Sequence, residues 1–516
     1  MIQPIFGQRI PVLTTSQVAI LTKPPLAIRV TGTVTSAEDK QPIPGVNVLV
    51  KGTTIGVSTD PNGRYALDIP NDDAILIFSF LGYTTQEIEV KGKTTIDITL
   101  VEDISQLSEV VVIGYGTSDK KDLTGAITSI SSEEFNQGVL TTPAQLLQGK
   151  VAGLNITKSG DPNQRPAVIL RGPSTLRSGG AQEPFYVIDG VPGASIDLLA
   201  PSDIETIDVL KDASSTAIYG SRAANGVIIV TTKRAKSGQT MLSYSNYVAL
   251  EEVSKKIDML TAPELRQYLA DNGQSITVAA DDDGSNTNWQ DLVLRSAVSQ
   301  NHNLSFGSAN QTTEYGLSIN YLKNEGILKN TALERVIVRG NISQRFFNNR
   351  LKLGVNFTNS SSNSLDQNSF LPGISYQNAI LSNMLFYLPT VSPFNADGTY
   401  KENYNRTGSG TRNPLSIVDN NIIENKNNKL LINGLMQVDI LDGLKFTLSY
   451  STQRDQNNVG AYFNSASGLA VGLGGIARRN ATLNKFDIVE GYFNYDKNFG
   501  KHEIKLLAGY SWQQDR

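Results

Sequence analysis

The second half of the chain alternates apolar and polar residues with a period of two. The alternation is clearest in four runs: Tyr315, Leu317, Ile319 and Tyr321; Leu351, Leu353, Val355 and Phe357; Leu444, Phe446, Leu448 and Tyr450; and Ile504, Leu506, Ala508, Tyr510 and Trp512. Intervening positions are largely polar or small, such as Lys352 and Asn356. Because successive strand side chains point to opposite faces, each run predicts a strand with one apolar face. The runs are about ten residues long, the length expected of a tilted strand that crosses a membrane.

The connections between the predicted strands differ in length in a regular order. From Leu242 onward the alternation predicts about nine strands. Short turns at 308–311, 347–349, 442–443 and 497–501 alternate with long loops at about 251–298, 324–332, 361–427 and 457–482. Tight turns at one end and long loops at the other are typical of outer-membrane barrels. We therefore expect a mainly β fold in which residues 236–516 form part of an antiparallel transmembrane β-barrel.

Residues 28–101 predict a small β-sandwich. Short β-prone runs are separated by turn residues, of which Asp60-Pro61-Asn62-Gly63 form the strongest turn, because proline fixes φ and glycine accepts positive φ. About seven short strands in this length favour a sandwich. The block has no histidine and no cysteine, so a binding or spacer module is favoured over a catalyst.

A linker at 102–117 contains four consecutive β-branched residues, Val110 to Ile113, bounded by Gly114 and Gly116. Two interpretations are open for this run. It is either an ordinary buried strand or an exposed segment that adds to the sheet edge of a partner. Periodicity alone favours the buried strand.

Residues 118–235 predict a compact mixed α/β domain. Thr142 to Leu147 has the pattern of a short capped helix, and 201–210 that of a helix or turn that leads into a strand. Extended runs at 167–172, 185–191 and 226–233 are bounded by glycines, which we interpret as turn residues because no Gly-Lys-Ser/Thr of a nucleotide loop follows. Asp189, before Gly190, and Asp203 are predicted to be turn and cap residues rather than catalytic acids.

Composition excludes several kinds of chemistry. The chain has 516 residues, a net charge of −4 and no cysteine, so disulfides and thiolate sites are ruled out. His302 and His502 are the two histidines, which leaves little material for a transition-metal site. No cluster of Lys and Arg is interleaved with aromatic residues, so nucleic acid is not an expected partner. No nucleophile–base constellation is evident, and neither catalytic activity nor a cofactor is predicted.

The long loops contain residues with two possible roles. Asp281 to Asp291 resembles a calcium loop but lacks the bidentate glutamate at the twelfth position, so a solvated loop with helix caps is favoured. Thr261 and Glu264 have the spacing of a capping box. Loop aromatics at Tyr376, Phe386, Tyr387, Phe394, Tyr400 and Tyr404 suit either ligand stacking or packing within the loop.

Four ordered motifs resemble the SusC/RagA family of TonB-linked outer-membrane transporters. They are EVVVIGYGTSDKKDLTGAITSI, LLQGKVAGLNI, FYVIDGVPG and DIETIDVLKDASSTAIYGSRAANGVIIVTTK. Residues 28–101 are similar to the carboxypeptidase-regulatory-like domain that often precedes these transporters. The resemblance implies that 118–235 form the plug domain, and that 236–516 form about nine strands of a barrel that has 22 in the family.

The resemblance also implies partners and a site. The family's TonB box lies in or beside a segment matched here by Glu109, Val110, Val111, Val112, Ile113, Gly114 and Tyr115, and this favours strand addition to TonB, which ExbB and ExbD energise. The family usually works with a surface lipoprotein of the SusD type. It implies import of a solute, an oligosaccharide before a peptide, by a multi-pass barrel in lipid of the bacterial outer membrane. The N-terminal domain then lies in the periplasm.

Two further expectations concern the ends of the chain and a rival function. Residues 1–27 lack the combined features of a secretory signal, and we expect them to be disordered or mis-assigned. Since open strand edges cannot face lipid, the sequence is expected to be an N-terminal fragment. The alternative function is a secreted or surface β-rich protein that binds glycans or acts as an adhesin.

Overall fold

The computed structural model describes residues 28–516 except 38, 54, 81–82, 102–109, 114–115, 120–126, 158–160, 178, 368–379, 403–411, 471 and 501. The chain divides into two compact units, one that ends at Val110 and one that begins at Val111. No helix in the described part of the chain is long and apolar enough to cross a membrane.

The first unit contains a β-sandwich of seven strands. The strands are β1 (Ile28–Ser36), β2 (Asn47–Val50), β3 (Gly56–Ser58), β4 (Arg64–Ile69), β5 (Ile75–Ser79), β6 (Gln86–Glu89) and β7 (Ile98–Leu100). They form one sheet in the order β4-β1-β7 and another in the order β3-β2-β5-β6. Alternate residues of β4 are buried, as its sequence predicts. One apolar core, which includes Val34, Val48, Phe78 and Leu100, joins the two sheets.

The second unit starts with a mixed α/β domain. Its strands are β8 (Val110–Ile113), β9 (Gly116–Asp119), β10 (Ile127–Ser131), β11 (Leu154–Thr157), β12 (Ala167–Leu170), β13 (Phe185–Ile188), β14 (Val191–Pro192), β15 (Ile204–Leu210) and β16 (Val227–Thr232). Five of them form a sheet in the order β10-β15-β16-β13-β14, while β8 pairs with β9 and β11 with β12. Helix α1 (Ala213–Thr216) and 3-10 helices at Pro143–Leu147, Gly179–Gln182, Ile196–Leu198, Pro201–Asp203 and Ala217–Ala223 connect the strands.

The predicted elements of this central domain are present. The capped helix is the 3-10 helix Pro143–Leu147, and the Gln145 side chain accepts hydrogen bonds from the backbone N–H groups of Thr141 and Thr142. The three extended runs are β12, β13 and β16. Gly190 takes positive φ in the tight turn between β13 and β14, and Asp189 before it does so as well.

The rest of the second unit is a nine-stranded antiparallel sheet in sequential order. Its strands are β17 (Thr240–Glu251), β18 (Ala297–Ala309), β19 (Thr313–Glu325), β20 (Ala332–Phe346), β21 (Leu351–Asp366), β22 (Asn421–Leu441), β23 (Leu444–Phe463), β24 (Ile476–Phe499) and β25 (His502–Asp515). Each strand pairs antiparallel with the strand that follows it in the chain, as the alternation of turns and loops predicts.

One face of this sheet is apolar and exposed. Cross-strand partners continue it from strand to strand, for example from Tyr315 to Ile342 and on to Val355. Its exposed side chains include Leu242, Tyr244, Val248, Leu250, Val298, Leu304, Phe306, Tyr315, Leu317, Ile319, Val336, Ile342, Leu353, Val355, Phe357, Ile432, Leu448, Tyr450, Phe493, Ile504, Leu506, Tyr510 and Trp512. An exposed apolar face of this extent is characteristic of a surface that borders lipid or a partner.

The opposite face is polar and largely buried. Its buried side chains include Ser299, Asn301, Asn303, Ser318, Asn320, Arg335, Arg339, Asn341, Thr358, Ser360, Asn433, Thr447, Ser451, Gln453 and Glu490. Apolar residues outside and polar residues inside are the reverse of a soluble sandwich and match a membrane barrel wall.

The strands are longer than their sequence patterns indicate. Their lengths run from 12 residues in β17 to 24 in β24, against the ten predicted. The added residues lie toward the long-loop ends, as in 426–428 and 456–458, where both faces of the strands carry polar residues. Alternation reveals a strand only where its two faces meet different surroundings, so these extensions leave no period-2 signal.

The long loops fold into a separate apolar cluster. Helices α2 (Ala262–Asp271) and α3 (Trp289–Val293) lie between β17 and β18, and α4 (Ile380–Phe386) and α5 (Pro414–Asn420) between β21 and β22. Helices α3, α4 and α5 and the loop after α4 bury Trp289, Met384, Tyr387 and Ile417 in one core.

We expect Phe78→Ala to destabilise the sandwich by about 3–5 kcal/mol, because it removes a fully buried ring from a close-packed core. The free energy of opening of residues 28–101, measured by amide hydrogen exchange, checks this. Val101→Ala is the control, since that side chain is 52% exposed. Equal protection in the two variants would contradict the core described here.

Candidate functional site

The partner-binding segment predicted from sequence is only partly described. Val110 to Ile113 form β8, which is hydrogen-bonded to β9 in a two-stranded sheet. Glu109, Gly114 and Tyr115 lie outside the described residues. The role of this segment therefore stays a prediction.

The central domain lies against the polar face of the nine-stranded sheet, and polar side chains make the contacts. Asp189 pairs with Arg339 of β20, and Asp203 bonds to Ser318 of β19. Arg222 donates a hydrogen bond to the side chain of Gln513 on β25. The contacts therefore reach from β19 to β25, nearly the full width of the sheet.

Asp189 is the centre of the most buried of these contacts. Its carboxylate accepts hydrogen bonds from the Thr232 backbone N–H at 3.0 Å and the Thr232 hydroxyl at 2.6 Å. The Arg339 guanidinium donates to the same carboxylate at 3.0 Å, and the Asp189 and Arg339 side chains are 10% and 7% exposed. The Arg234 guanidinium lies 4.0 Å from the Asp189 carboxylate and 3.3 Å from that of Glu314. A strand end of the central domain is thus joined to two strands of the sheet by charge-assisted bonds.

The pKa of Asp189 follows from these neighbours. Burial alone raises the pKa of a carboxyl, but the Arg339 and Arg234 guanidinium groups and the Thr232 hydrogen bonds outweigh burial and lower it. Asp189 is therefore held as a carboxylate. The sequence interpretation of Asp189 as a turn residue is correct for its backbone but misses this ion pair.

Asp203 makes the second contact and differs in its electrostatics. It is a buried residue of the 3-10 helix Pro201–Asp203, and its carboxylate accepts from the Ser318 hydroxyl at 2.8 Å and the Asn303 amide at 3.5 Å. Burial raises its pKa, and the hydrogen bonds and more distant cations only partly offset this. No described cation forms an ion pair with Asp203, so this contact consists of hydrogen bonds, whereas the one at Asp189 also contains an ion pair.

A third contact group lies nearer the long loops. Lys429 on β22 places its Nζ atom 3.4 Å from Asp197 of the central domain and 3.5 Å from Asp455 on β23. The same Nζ lies 3.1 Å from the Ser195 hydroxyl, and the Ser195 backbone N–H donates to Gln453 at 3.2 Å. One lysine therefore neutralises acids from both the domain and the sheet.

A cavity of about 170 Å³ separates the central domain from the sheet on the side of the short turns. Its lining includes Asp189, Arg234, Lys352, Asn433 and Glu490. Because the lining is polar and charged, the cavity suits water or a hydrophilic solute rather than an apolar ligand.

Most of the described loop aromatics that the sequence analysis named pack against other residues of the loops. The Tyr387 ring packs edge to face on Trp289 at 4.7 Å, and the Phe394 and Tyr400 rings lie 5.2 Å apart. Phe386 is exposed, and Tyr376 and Tyr404 lie outside the described residues. The loop packing interpretation is therefore correct for Tyr387.

The acidic stretch from Asp281 is also engaged by neighbours. Arg266 of α2 donates two hydrogen bonds to Asp282, at 2.7 and 2.8 Å, and Lys401 donates one to Asp283 at 2.7 Å. Asn288 caps α3, and Thr261 and Glu264 form the predicted capping box of α2. In the described part of the chain, no group of three or more His, Cys, Asp or Glu side chains is arranged to hold a metal ion.

Glu402 is a buried acid where two loops meet. Its Oε2 atom accepts from the Asn413 backbone N–H at 2.8 Å, while its Oε1 atom is buried with no hydrogen-bond partner among the described residues. Gly468, from the loop between β23 and β24, lies against Oε1, where a β-carbon would be only 2.4 Å away. Burial raises the pKa of Glu402 to about 7.

Sequence patterns did not single out Arg339 or Lys429. The signal was present, because both are charged residues at inward positions of strands. A buried charge at such a position requires a partner of opposite charge, which another element can supply. The partner cannot be named from sequence, because the ion pairs join residues 150 and 232 positions apart.

Two family models match the chain. The model described as "CarboxypepD_reg-like domain" matches residues 30–112, and that described as "TonB-dependent Receptor Plug Domain" matches residues 119–227. The second match covers most of the domain that contacts the polar face of the sheet.

The chain is also similar to curated receptors. It is 34% identical over 488 residues to "TonB-dependent receptor P3" of Formosa agariphila, covering 94% of this chain and 48% of that protein. It is 36% identical over 390 residues to "TonB-dependent receptor SusC" of Bacteroides thetaiotaomicron, covering 72% of this chain and 38% of SusC. The chain belongs to the SusC/RagA family of TonB-dependent receptors. It spans about half the length of the curated relatives it matches.

Solved structures give the same fold for this SusC/RagA-family chain. A chain of the RagAB peptide importer in its open-open state superposes with a TM-score of 0.66 at 23% identity, covering 79% of this chain and 49% of that one. The expectation of a mainly β fold, with a sandwich, a plug and part of a barrel, is confirmed. From here on we call the domain after β9 the plug and the nine-stranded sheet the barrel wall.

We expect Arg339→Ala to destabilise the plug by about 3–5 kcal/mol, because it leaves the Asp189 carboxylate buried without its nearest guanidinium. Chemical denaturation of the purified receptor, followed by hydrogen exchange in the plug, measures this. Replacing both partners, as in D189N/R339L, is expected to recover part of the loss, because it removes both charges while asparagine tolerates positive φ and still accepts from Thr232. Arg177→Ala is the control, because that side chain is exposed. A loss no larger than the control's would show that the pair does not hold the plug.

The raised pKa of Glu402 predicts a pH dependence of the loop cluster. An ordinary glutamate loses its proton near pH 4.5, whereas Glu402 does so near 7. Between these values the folded loops hold a proton that unfolded loops release, so stability falls as pH rises through this window. Hydrogen exchange of 380–402 and 412–420 should therefore quicken from pH 4.5 to 7 beyond its intrinsic rate change.

Glu402→Gln should remove that dependence, because glutamine does not titrate. Asp258→Asn is the control, since it removes an exposed acid from another part of the loops. An unchanged pH profile in Glu402→Gln would exclude Glu402 as its source.

Proposed function

We propose that the protein imports a nutrient across the bacterial outer membrane and draws its energy from TonB. The observation that carries the proposal is the arrangement of the second unit: a sheet with an apolar outer face and a polar inner face, against which a polar plug is packed. A closed wall of this kind separates lipid from an aqueous lumen, and the plug blocks the lumen until it is displaced. We propose no bond-making or bond-breaking reaction.

The coupling to TonB is assigned to residues 109–115. Among the described residues, β8 pairs with β9 along one edge, and we propose that a strand of TonB adds along the other edge by β-augmentation. Force applied there reaches the plug through the chain itself, because β10 of the plug begins twelve residues after Tyr115. ExbB and ExbD would supply that force from the inner membrane, and the N-terminal sandwich would lie in the periplasm.

The plug contacts described above are suited to repeated displacement. They are hydrogen bonds and ion pairs between groups that water also solvates well, so breaking them exposes little apolar surface. A net contribution of about 1 kcal/mol is usual for a single hydrogen bond. An apolar plug interface of the same area would resist displacement and aggregate when exposed.

An oligosaccharide is the favoured solute, with a peptide second. Inward residues of β21 to β23 are largely serine, threonine and asparagine, as at Ser360, Asn427 and Ser451, which suit a neutral ligand rich in hydroxyl groups. The charged groups nearby, Lys429 and Asp455, already neutralise one another. The similarity in fold to the RagAB peptide importer supports the peptide alternative. A surface lipoprotein of the SusD type is the proposed partner at the long-loop end.

We expect Val112→Pro to abolish TonB-dependent uptake, because proline removes a backbone N–H and disrupts strand pairing. Growth of cells on a panel of purified glycans, and separately on a tryptic digest of casein, measures uptake and distinguishes the two solute classes. Ser105→Pro is the control, since it places the same residue in the linker outside the segment.

The comparison requires equal amounts of each variant at the cell surface. Under that condition, uptake that survives Val112→Pro would contradict coupling through this segment. Uptake that also survives loss of TonB would instead favour a surface glycan-binding or adhesive protein.

A further inference from the structure

The apolar band of the barrel wall ends at the same level on β23, β24 and β25. Going toward the long loops, the last apolar cross-strand row is Tyr450, Val489 and Trp512. The next row on this outward face is Thr452, Asp487 and Gln514. Tyrosine and tryptophan at the limit of the band are typical of a membrane interface.

A row of three cations follows directly above. Arg454 is the direct cross-strand partner of Lys485, and Lys485 exchanges both backbone hydrogen bonds with Arg516, at 2.8 and 2.9 Å. Cross-strand partners share a face, so all three side chains stand on the outward, lipid-facing side. Inward neighbours confirm the orientation, since Gln453 and Asp455 contact the plug and Lys429.

Like charges placed directly opposite each other destabilise a sheet. Asp487, an acid one row away on the same face, lies within electrostatic reach of Arg454 and Arg516 and accepts a hydrogen bond from the Tyr450 hydroxyl at 3.2 Å. Within the described part of the chain, neither Arg454 nor Lys485 has a carboxylate oxygen within 4.0 Å. Three positive charges and one negative charge leave the cluster cationic.

Two cations at the short-turn end of β23 and β24 lie within 4.0 Å of an acid. Lys445 lies 3.8 Å from Asp439, and Lys497 lies 3.6 Å from Asp442. Both pairs are at the short-turn end of the wall. Among the described residues, these two cations at the short-turn end are therefore each paired with an acid, whereas Arg454 and Lys485 at the long-loop end are not.

The location and chemistry of the row identify its ligand. Neighbouring strands are about 4.8 Å apart, so one phosphate is within reach of two adjacent side chains. Guanidinium and ammonium groups are the side chains that bind phosphate best. The row faces outward just beyond an aromatic belt, which is where the headgroups of lipids in the outer leaflet lie.

We propose that Arg454, Lys485 and Arg516 bind the phosphate of an anionic lipid in the outer leaflet. The lipid's acyl chains would lie along Tyr450, Val489 and Trp512, while its phosphate offsets the repulsion between the three cations. The proposal rests on the outer-membrane location given above, but it does not depend on TonB coupling or on the solute.

The test uses the full-length receptor purified in mild detergent, with native mass spectrometry to count bound lipid. The probes are lipid A, lipid A stripped of its phosphates, and inorganic phosphate. We expect the unaltered protein to retain lipid A, and R454Q/K485Q to bind it roughly tenfold more weakly, since two charge-assisted hydrogen bonds are lost. R454K/K485R should retain binding, because the charges remain.

The matched control is K445Q/K497Q, which removes two cations at the short-turn end and should leave lipid A binding unchanged. Equal retention by R454Q/K485Q and the unaltered protein would overturn the proposal. So would binding of phosphate-free lipid A as tight as that of lipid A, or inorganic phosphate binding at the same concentrations. The two proposals can fail separately. If lipid A binding fails these tests while Val112→Pro still abolishes uptake, the lipid site is excluded and the import proposal stands.

Discussion

The pairing of every backbone group within the barrel wall is the constraint on which the structure depends. In lipid an unpaired N–H or C=O group costs several kcal/mol, so strands can face a bilayer only when both neighbours satisfy them. Continuous antiparallel pairing meets this demand for β18 to β24, each of which lies between two other strands of the sheet. The side chains then distinguish the two faces. The apolar set points outward and leaves the inner face to polar residues such as Asn303, Ser360 and Asn433.

A polar inner face determines how the plug is held. The plug has its own apolar core, so its fold does not depend on apolar contact with the wall apart from a few residues such as Leu431. Three polar contacts attach the plug to the barrel wall: Asp189 with Arg339, Asp203 with Ser318, and Lys429 with its two acids. These contacts specify one position for the plug while remaining exchangeable with water. On the outward face of β23 to β25, by contrast, charged residues lie beyond the apolar row of Tyr450, Val489 and Trp512, as in the row that begins at Arg454.

Local sequence patterns predicted most of the fold because most of it is locally encoded. Alternation predicted about nine strands, and the four runs that it located lie in β19, β21, β23 and β25. The predicted short turn at 347–349 joins β20 to β21, and each of its residues takes positive φ. The predicted strand ends were wrong where both faces of a strand carry polar residues, as in 426–428, because the period-2 pattern is absent there. The segment 109–115 was found by its resemblance to a family. The Asp189–Arg339 pair was not predicted, because the two residues are 150 positions apart in the sequence. In addition, the turn before Gly190 was a sufficient reason for an aspartate at 189.

The central claim is that the sheet separates lipid from a polar lumen, and β23 offers the most direct test. The chain has no cysteine, so a nitroxide can be attached to single cysteines introduced at 446 to 451 in the receptor reconstituted into lipid bilayers. Electron paramagnetic resonance then measures collision with oxygen, which is concentrated in lipid. We predict high oxygen accessibility at 446, 448 and 450 and low accessibility at 447, 449 and 451. Uniform accessibility, or the opposite phase, would contradict the account.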